Sequence, residues 1–183
     1  NYIHSLSGNV FSELMVLRKL TITSLLEIPE ESLAPLRSLK SISIQSETRS
    51  LIIKTLILPR LDNLEFYGVI QSMQGFQVMK TLTFNINASK LLTVDAWLQL
   101  QDMFQSVQHL QNPITLELTN INSIKYLHYI SKIDVSILQL YEIETDVLQN
   151  DTFLGLNSVK LMTIASCKMA KIEYGAFVGL TSL

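Results

Sequence analysis

Apolar residues near the end of the chain recur in an uneven but ordered way. From Val159 they fall at Met162 and Ile164, then at Cys167 and Met169, and onward at Ile172, Phe177, Leu180 and Leu183. Neither a helix period nor a strand period alone produces this order. Met162 and Ile164, two residues apart, point to one side of a short strand. A bend then returns the chain and sets Met169, Ile172, Phe177 and Leu180 against the same interior. One such coil cannot cover its own apolar side, so the pattern predicts neighbours above and below it.

The same signature starts at Leu17, Leu39, Leu61, Met79, Pro113 and Val135. It predicts the inward strand pairs Leu20/Ile22, Ile42/Ile44, Leu64/Phe66, Leu82/Phe84, Leu116/Leu118 and Leu138/Leu140. An apolar pair closing the preceding coil stands before most starts: Phe11/Leu14, Leu33/Leu36, Met73/Phe76, Val107/Leu110, Phe153/Leu156 and Phe177/Leu180. Thr55/Leu58 is a half match, and Tyr129/Lys132 breaks the rule. The coil after Met79 is the longest. Its surplus carries Val94, Trp97, Leu98, Phe104 and Val107 at three- and four-residue steps, which predicts an amphipathic helix near 93–107 capped by Thr93, with Trp97 in the core. The ninth position of the frame holds Asn87 and Cys167; Cys167 is expected to face inward, and so is Asn87 unless the long insertion after it pushes it outward. Glu47 and Val69 stand there in two other coils and predict looser turns.

This frame, L-x-x-L-x-L-x-x-N/C-x-L, is that of a leucine-rich repeat. The predicted fold class is α/β: a solenoid, or horseshoe, with a parallel sheet on its concave face and irregular or helical segments on its convex face. It forms one unit over 1–183, of about seven to eight coils. The F-x-G-L-x-S-V/L segments beginning at Phe153 and Phe177 make the chain resemble extracellular leucine-rich-repeat proteins. Uneven coil lengths and the inserted helix make it most similar to a Toll-like receptor ectodomain. The chain opens without Met and stops at the first position of a further repeat, so it reads as a fragment truncated at both ends. The resemblance implies an extracellular or endosomal recognition module that binds a protein or pathogen-derived ligand. It also implies pairing with a second receptor chain, and a membrane reached only through a segment outside these residues. The alternative is a secreted or intracellular scaffold or adaptor that binds a protein partner without signalling.

Composition narrows the chemistry. Of 183 residues, 48% are hydrophobic and 16% charged, with a net charge of −2, so no basic face recommends nucleic acid as a partner. The apolar run Leu51 to Leu58 is too short to span a bilayer and contains Lys54. His4, His109 and His128 lack companions at metal-ligand spacing. No G-x-S-x-G elbow or phosphate-cradling glycine run occurs. Glu30-Glu31 and Glu142/Glu144 read as solvated acids, and Cys167 as a buried, unreactive thiol. The chain is expected to be a non-enzyme without catalytic residues, metal or cofactor.

Recognition would then fall to the strand residues that face away from the core. The fifth frame positions are Thr21, Ser43, Glu65, Thr83, Glu117, Gln139 and Thr163; the seventh are Thr23, Gln45, Tyr67, Asn85, Thr119, Tyr141 and Ala165. The richest patch is Glu65, Tyr67, Thr83, Asn85, Glu117, Thr119, Gln139 and Tyr141. It is either a solvated polar face or a docking surface anchored by Tyr67 and Tyr141. Two sequons, Asn87-Ala88-Ser89 and Asn150-Asp151-Thr152, are candidate glycosylation sites. Asn150 precedes Phe153 on the outer return path. Protein made in a secretory host is therefore expected to carry a glycan on Asn150, read by peptide mass spectrometry; an accessible, unmodified Asn150 counts against secretion.

Overall fold

The computed structural model describes residues 10–23, 27–28, 32–45, 51–53, 62–67, 70–73, 81–88, 94–107, 113–121 and 124–183. In chain order the strands are β1 (Lys19–Thr23), β2 (Glu27–Ile28), β3 (Ser41–Gln45), β4 (Leu51–Ile53), β5 (Asn63–Tyr67), β6 (Ile70–Met73), β7 (Thr81–Asn87), β8 (Ile114–Thr119), β9 (Val135–Tyr141), β10 (Val147–Leu148), β11 (Leu161–Ala165) and β12 (Lys171–Ile172). Helix α1 (Val94–Val107) lies between β7 and β8, and a 3-10 helix (Ile124–Lys132) between β8 and β9. His4, Glu47, Leu61, Val69, Met79, Thr93 and His109, which the sequence singled out, lie outside the described residues.

One parallel sheet of seven strands runs in the order β1-β3-β5-β7-β8-β9-β11. Its order follows the chain, so each strand lies beside its predecessor and the chain always returns in the same sense. Parallel partners need a crossover between them. The remaining strands lie on those crossovers and pair with each other as β2-β4-β6 and β10-β12. Along the first four strands Leu20, Ile42, Leu64 and Leu82 share one row, and Ile22, Ile44, Phe66 and Phe84 the next. Ile42, Ile44, Leu64, Leu82 and Phe84 are fully buried. Alternating apolar residues thus supply the core from one face of the sheet, and on these four strands the other face carries mostly polar residues.

Between β7 and β8 the register departs from the expected one. Leu116 and Leu118 pair with Phe84 and Ile86, and Leu82 pairs with Ile114, a slip of two residues. A slip of two leaves every side chain on its original face, so the hydrophobic pattern cannot detect it. The observed register matches three apolar pairs, whereas the expected one would set Ile86 opposite Asn120. A bulge follows: Ile114 pairs with Val135 but Thr115 with Ile137, leaving Ser136 as the extra residue. The same offset explains why Tyr129/Lys132 breaks the rule. Ile121, Ile124, Leu127, Ile130 and Ile133 are the buried residues of that return, at steps of three, the period of a 3-10 helix.

The returns repeat in detail. Leu14 N donates to Phe11 O, Leu36 N to Leu33 O, Leu156 N to Phe153 O and Leu180 N to Phe177 O, which places the closing apolar pairs in equivalent turns. Directly after β8, β9 and β11 the residues Asn120, Glu142 and Ser166 all adopt left-handed backbone, with φ of 55°, 56° and 56°. Ile121 and Ile143 then occupy the ninth frame position and are buried. Backbone groups there are satisfied by the next coil: Ile121 N donates to Glu142 O and Lys168 N to Ile143 O, at 3.1 and 2.8 Å. These two positions thus carry apolar side chains, and their backbone groups bond from coil to coil.

Helix α1 packs Trp97, Leu100 and Phe104 inward. The Phe104 ring meets Phe84 edge-on at 4.7 Å, and Trp97 lies 6.3 Å from Tyr126 on the 3-10 helix. At the last coil the interior is open. Leu148 and Phe153 are fully buried, but Ile172 and Phe177, their equivalents one coil on, are 53% and 45% exposed. Phe177 stacks on Phe153 at 5.5 Å and has nothing on its other side among the described residues. Cys167, expected to be buried, is half-buried for the same reason; its Sγ donates to Ala165 O at 3.1 Å.

Two substitutions test this packing by thermal or chemical denaturation. Phe104→Ala should cost about 3–5 kcal/mol, since it empties a fully buried ring site. Gly179→Ala should cost about 1–3 kcal/mol, because φ is 102° and a Cβ would stand 2.6 Å from Phe153 O.

Candidate functional site

The polar face of the sheet is the candidate site, and the observed register decides which residues share it. Strands set neighbouring residues ~4.8 Å apart across the sheet and successive same-face residues ~6.6 Å apart along a strand. One row runs Glu65, Thr83, Thr115, Ile137 and Leu161. The next runs Tyr67, Asn85, Glu117, Gln139 and Thr163, one residue from each of five adjacent strands. A third pairs Asn87 with Thr119, and Tyr141 stands beside Thr119, one residue beyond the Leu118/Leu140 pair.

This differs from the expected grouping in three ways. Glu117 shares a row with Tyr67 and Asn85 and not with Glu65 and Thr83, while Thr119 moves one row further. Tyr67 and Tyr141 therefore fall in different rows, three strands apart, a separation of ~16 Å from the spacings of an ordinary sheet. Asn87, expected at an inward ninth position, is instead the last residue of β7. It is half-buried on the outward face, while Ile86 and Ala88 point in. β7 is longer than the other early strands, and the alternation continues through the place where the frame would turn the chain.

The side chains are available in different degrees. Glu65, Thr83, Asn85, Glu117, Thr119, Gln139 and Tyr141 are half-buried, as neighbours on a flat sheet shade one another. Asn63 Nδ2 donates to Glu65 Oε1 at 3.0 Å and orients that carboxylate. The side chains of Asn85, Glu117 and Gln139 lie side by side yet make no hydrogen bond to a described residue, and none of their polar atoms is buried. Thr163 lies on the face, as its fifth frame position predicts, and Thr115, Ile137 and Leu161, which no fifth or seventh position covers, lie there too. For Thr115, Ile137 and Leu161 the missing signal was the slip and bulge around β8, which bring in residues just before the predicted inward pairs.

Charge on this face is one-sided. Glu65 and Glu117 are its acids, and among the described outward strand residues the base is Lys19, at the start of the edge strand β1. Other described bases lie off the strand face, among them Lys160, Lys168 and Lys171 in the last coil. There Lys168 Nζ donates to Glu144 Oε1 at 2.5 Å. That bond and the ammonium charge hold the Glu144 carboxyl below its ordinary value, and the same bond with the carboxylate charge raises Lys168. Both are exposed, and solvent screening leaves such a pair little influence on stability.

Asn150 is exposed at the turn before Phe153, where its N–H donates to Glu173 Oε2 and its Nδ2 to Asp151 Oδ2, both at 3.1 Å. It stands on the return path, away from the strand rows. Among the described residues no three His, Cys, Asp or Glu side chains gather as a metal site, and no helix is long and apolar enough to cross a membrane. No protein-family model matches the chain, and no curated protein matches it.

The register is open to direct test with cysteine pairs in a Cys167→Ser background. Asn85→Cys with Glu117→Cys places the Cα atoms ~4.8 Å apart, within disulfide range. Thr83→Cys with Glu117→Cys places them ~8 Å apart, beyond the ~7 Å limit. Oxidation followed by mass spectrometry should therefore close the first pair and leave the second open.

Proposed function

We propose that this chain is a non-catalytic recognition module, a leucine-rich-repeat solenoid that serves as the ligand-binding and dimerising ectodomain of a Toll-like receptor. The observation that carries this reading is the continuous polar row Tyr67, Asn85, Glu117, Gln139 and Thr163, drawn from five successive strands of one parallel sheet. A sheet built this way brings residues far apart in sequence into one patch, as recognition by a repeat protein requires. The equivalent turns, the left-handed residues after β8, β9 and β11, and the ladder of buried inward residues support the repeat. Half-buried polar side chains with no partner among themselves support contact with a ligand over a purely structural role.

On this reading the ligand is a protein or pathogen-derived molecule, and a second receptor chain pairs with the first. The location is extracellular or endosomal, with a glycan on Asn150 and a membrane segment outside these residues. Site-specific photo-crosslinking in the whole protein on cells tests it. A crosslinking residue at Gln139 should capture a partner, and one at Leu154, exposed on the return side, should not. Tyr141→Ala should then weaken the affinity for the captured partner by about 1–2 kcal/mol without moving the melt. Capture from Leu154 alone would transfer recognition to the convex side.

A further inference from the structure

From the geometry of the polar face we infer the chemistry of its partner: a basic, extended peptide segment of another protein, with two cationic side chains four residues apart seated on Glu65 and Glu117. This rests on the reading that the sheet face is the recognition surface. The two carboxylates stand two strands and one row apart, which corresponds to ~12 Å in an ordinary sheet. An extended chain advances ~3.3 Å per residue and presents alternate side chains to one side, so same-side residues four apart span ~13 Å. The match selects that spacing over adjacent cations.

The surroundings of each acid fit the same ligand. Asn63 fixes one oxygen of Glu65 through its 3.0 Å bond. Glu117 is flanked on the neighbouring strands by Asn85 and Gln139, whose amides bond to no described residue. Amides on both sides of a carboxylate offer donors and acceptors to a peptide backbone while the acid takes the cation in a charge-assisted bond. Lys19, at the sheet edge, is four strands from Glu117 and two strands and one row from Glu65, ~12 Å in an ordinary sheet, so its charge reaches Glu65 weakly and Glu117 hardly at all. A polyanion would meet two acids here, neither of them in an ion pair among the described residues, and be repelled. Continued along the Glu65 to Glu117 diagonal, the segment reaches Tyr141, whose ring can receive an apolar or flat side chain.

The test uses the whole protein and fluorescein-labelled Gly/Ser peptides, read by anisotropy at about 50 mM salt, where surface charge is not fully screened. One peptide carries two arginines four residues apart, a second carries them adjacent, and a third carries glutamates at the first peptide's positions. The first should bind at least ~10-fold more tightly than the second, and the third should not bind. Glu65→Gln and Glu117→Gln should each weaken the first peptide about 10-fold with an unchanged thermal melt. No binding of the first peptide, equal affinity for both arginine spacings, or indifference to Glu117→Gln would overturn the inference. If the glutamate peptide binds and Gln139→Ala abolishes it, the charge assignment fails while the sheet face stands as the recognition surface. If binding survives Glu65→Gln, Glu117→Gln, Gln139→Ala and Tyr141→Ala alike, the inference and the reading beneath it both fall.

Discussion

Among the described residues, an inward side chain is buried when a coil lies beside it and half-exposed when none does. A single pass of chain offers a short strand and a return, too thin to enclose its own apolar residues. Burial is therefore a property of neighbours. Leu138 and Leu140 on β9 are fully buried between β8 and β11, but Met162 and Ile164, one strand on, are only partly so. The parallel ladder is the device that keeps these dependencies aligned, because each row of the sheet is also a row of the core. Where a row slips, core and surface slip together.

The backbone of the returns obeys the same rule. At the buried ninth positions Ile121 and Ile143 there is no polar side chain to satisfy the turn, so its N–H and C=O groups bond to the adjacent coil. A residue of left-handed backbone stands directly before this position after β8, β9 and β11. Asn120 accepts that conformation readily, whereas Glu142 and Ser166 adopt it at a cost of roughly 1–2 kcal/mol each. The coil-to-coil bonds offset the local strain.

Much of the architecture was legible in the amino-acid order. The strand positions, the closing pairs Phe11/Leu14, Leu33/Leu36, Phe153/Leu156 and Phe177/Leu180, and the helix around Trp97 follow from which residues must hide from water, and a one-residue error would have exposed a whole strand. Register between β7 and β8 was not legible, because pattern reports only the parity of a strand and not its offset. Asn87 was misplaced for a related reason: the frame assumes a strand of fixed length, and TLTFNINA continues its alternation past that limit. The 3-10 return was written plainly in Ile121, Ile124, Leu127, Ile130 and Ile133, though at a three-residue step that neither helix nor strand templates seek. The site depended most on what could not be read, since moving Glu117 by one row changes its companions without changing its exposure.

The bulge at Ser136 has a consequence for how such a sheet can change over time. A strand can accept two extra residues by sliding, and its painted side stays outward. A single extra residue would turn that side over, unless it is extruded, as Ser136 is between Val135 and Ile137. Helix α1 lies in the connection directly before β8, and the even offset comes at that junction, with the odd residue discharged one strand later. The sheet works in this respect like a gear that can skip teeth only in pairs, and the bulge is the slack that lets an uneven length of chain mesh again.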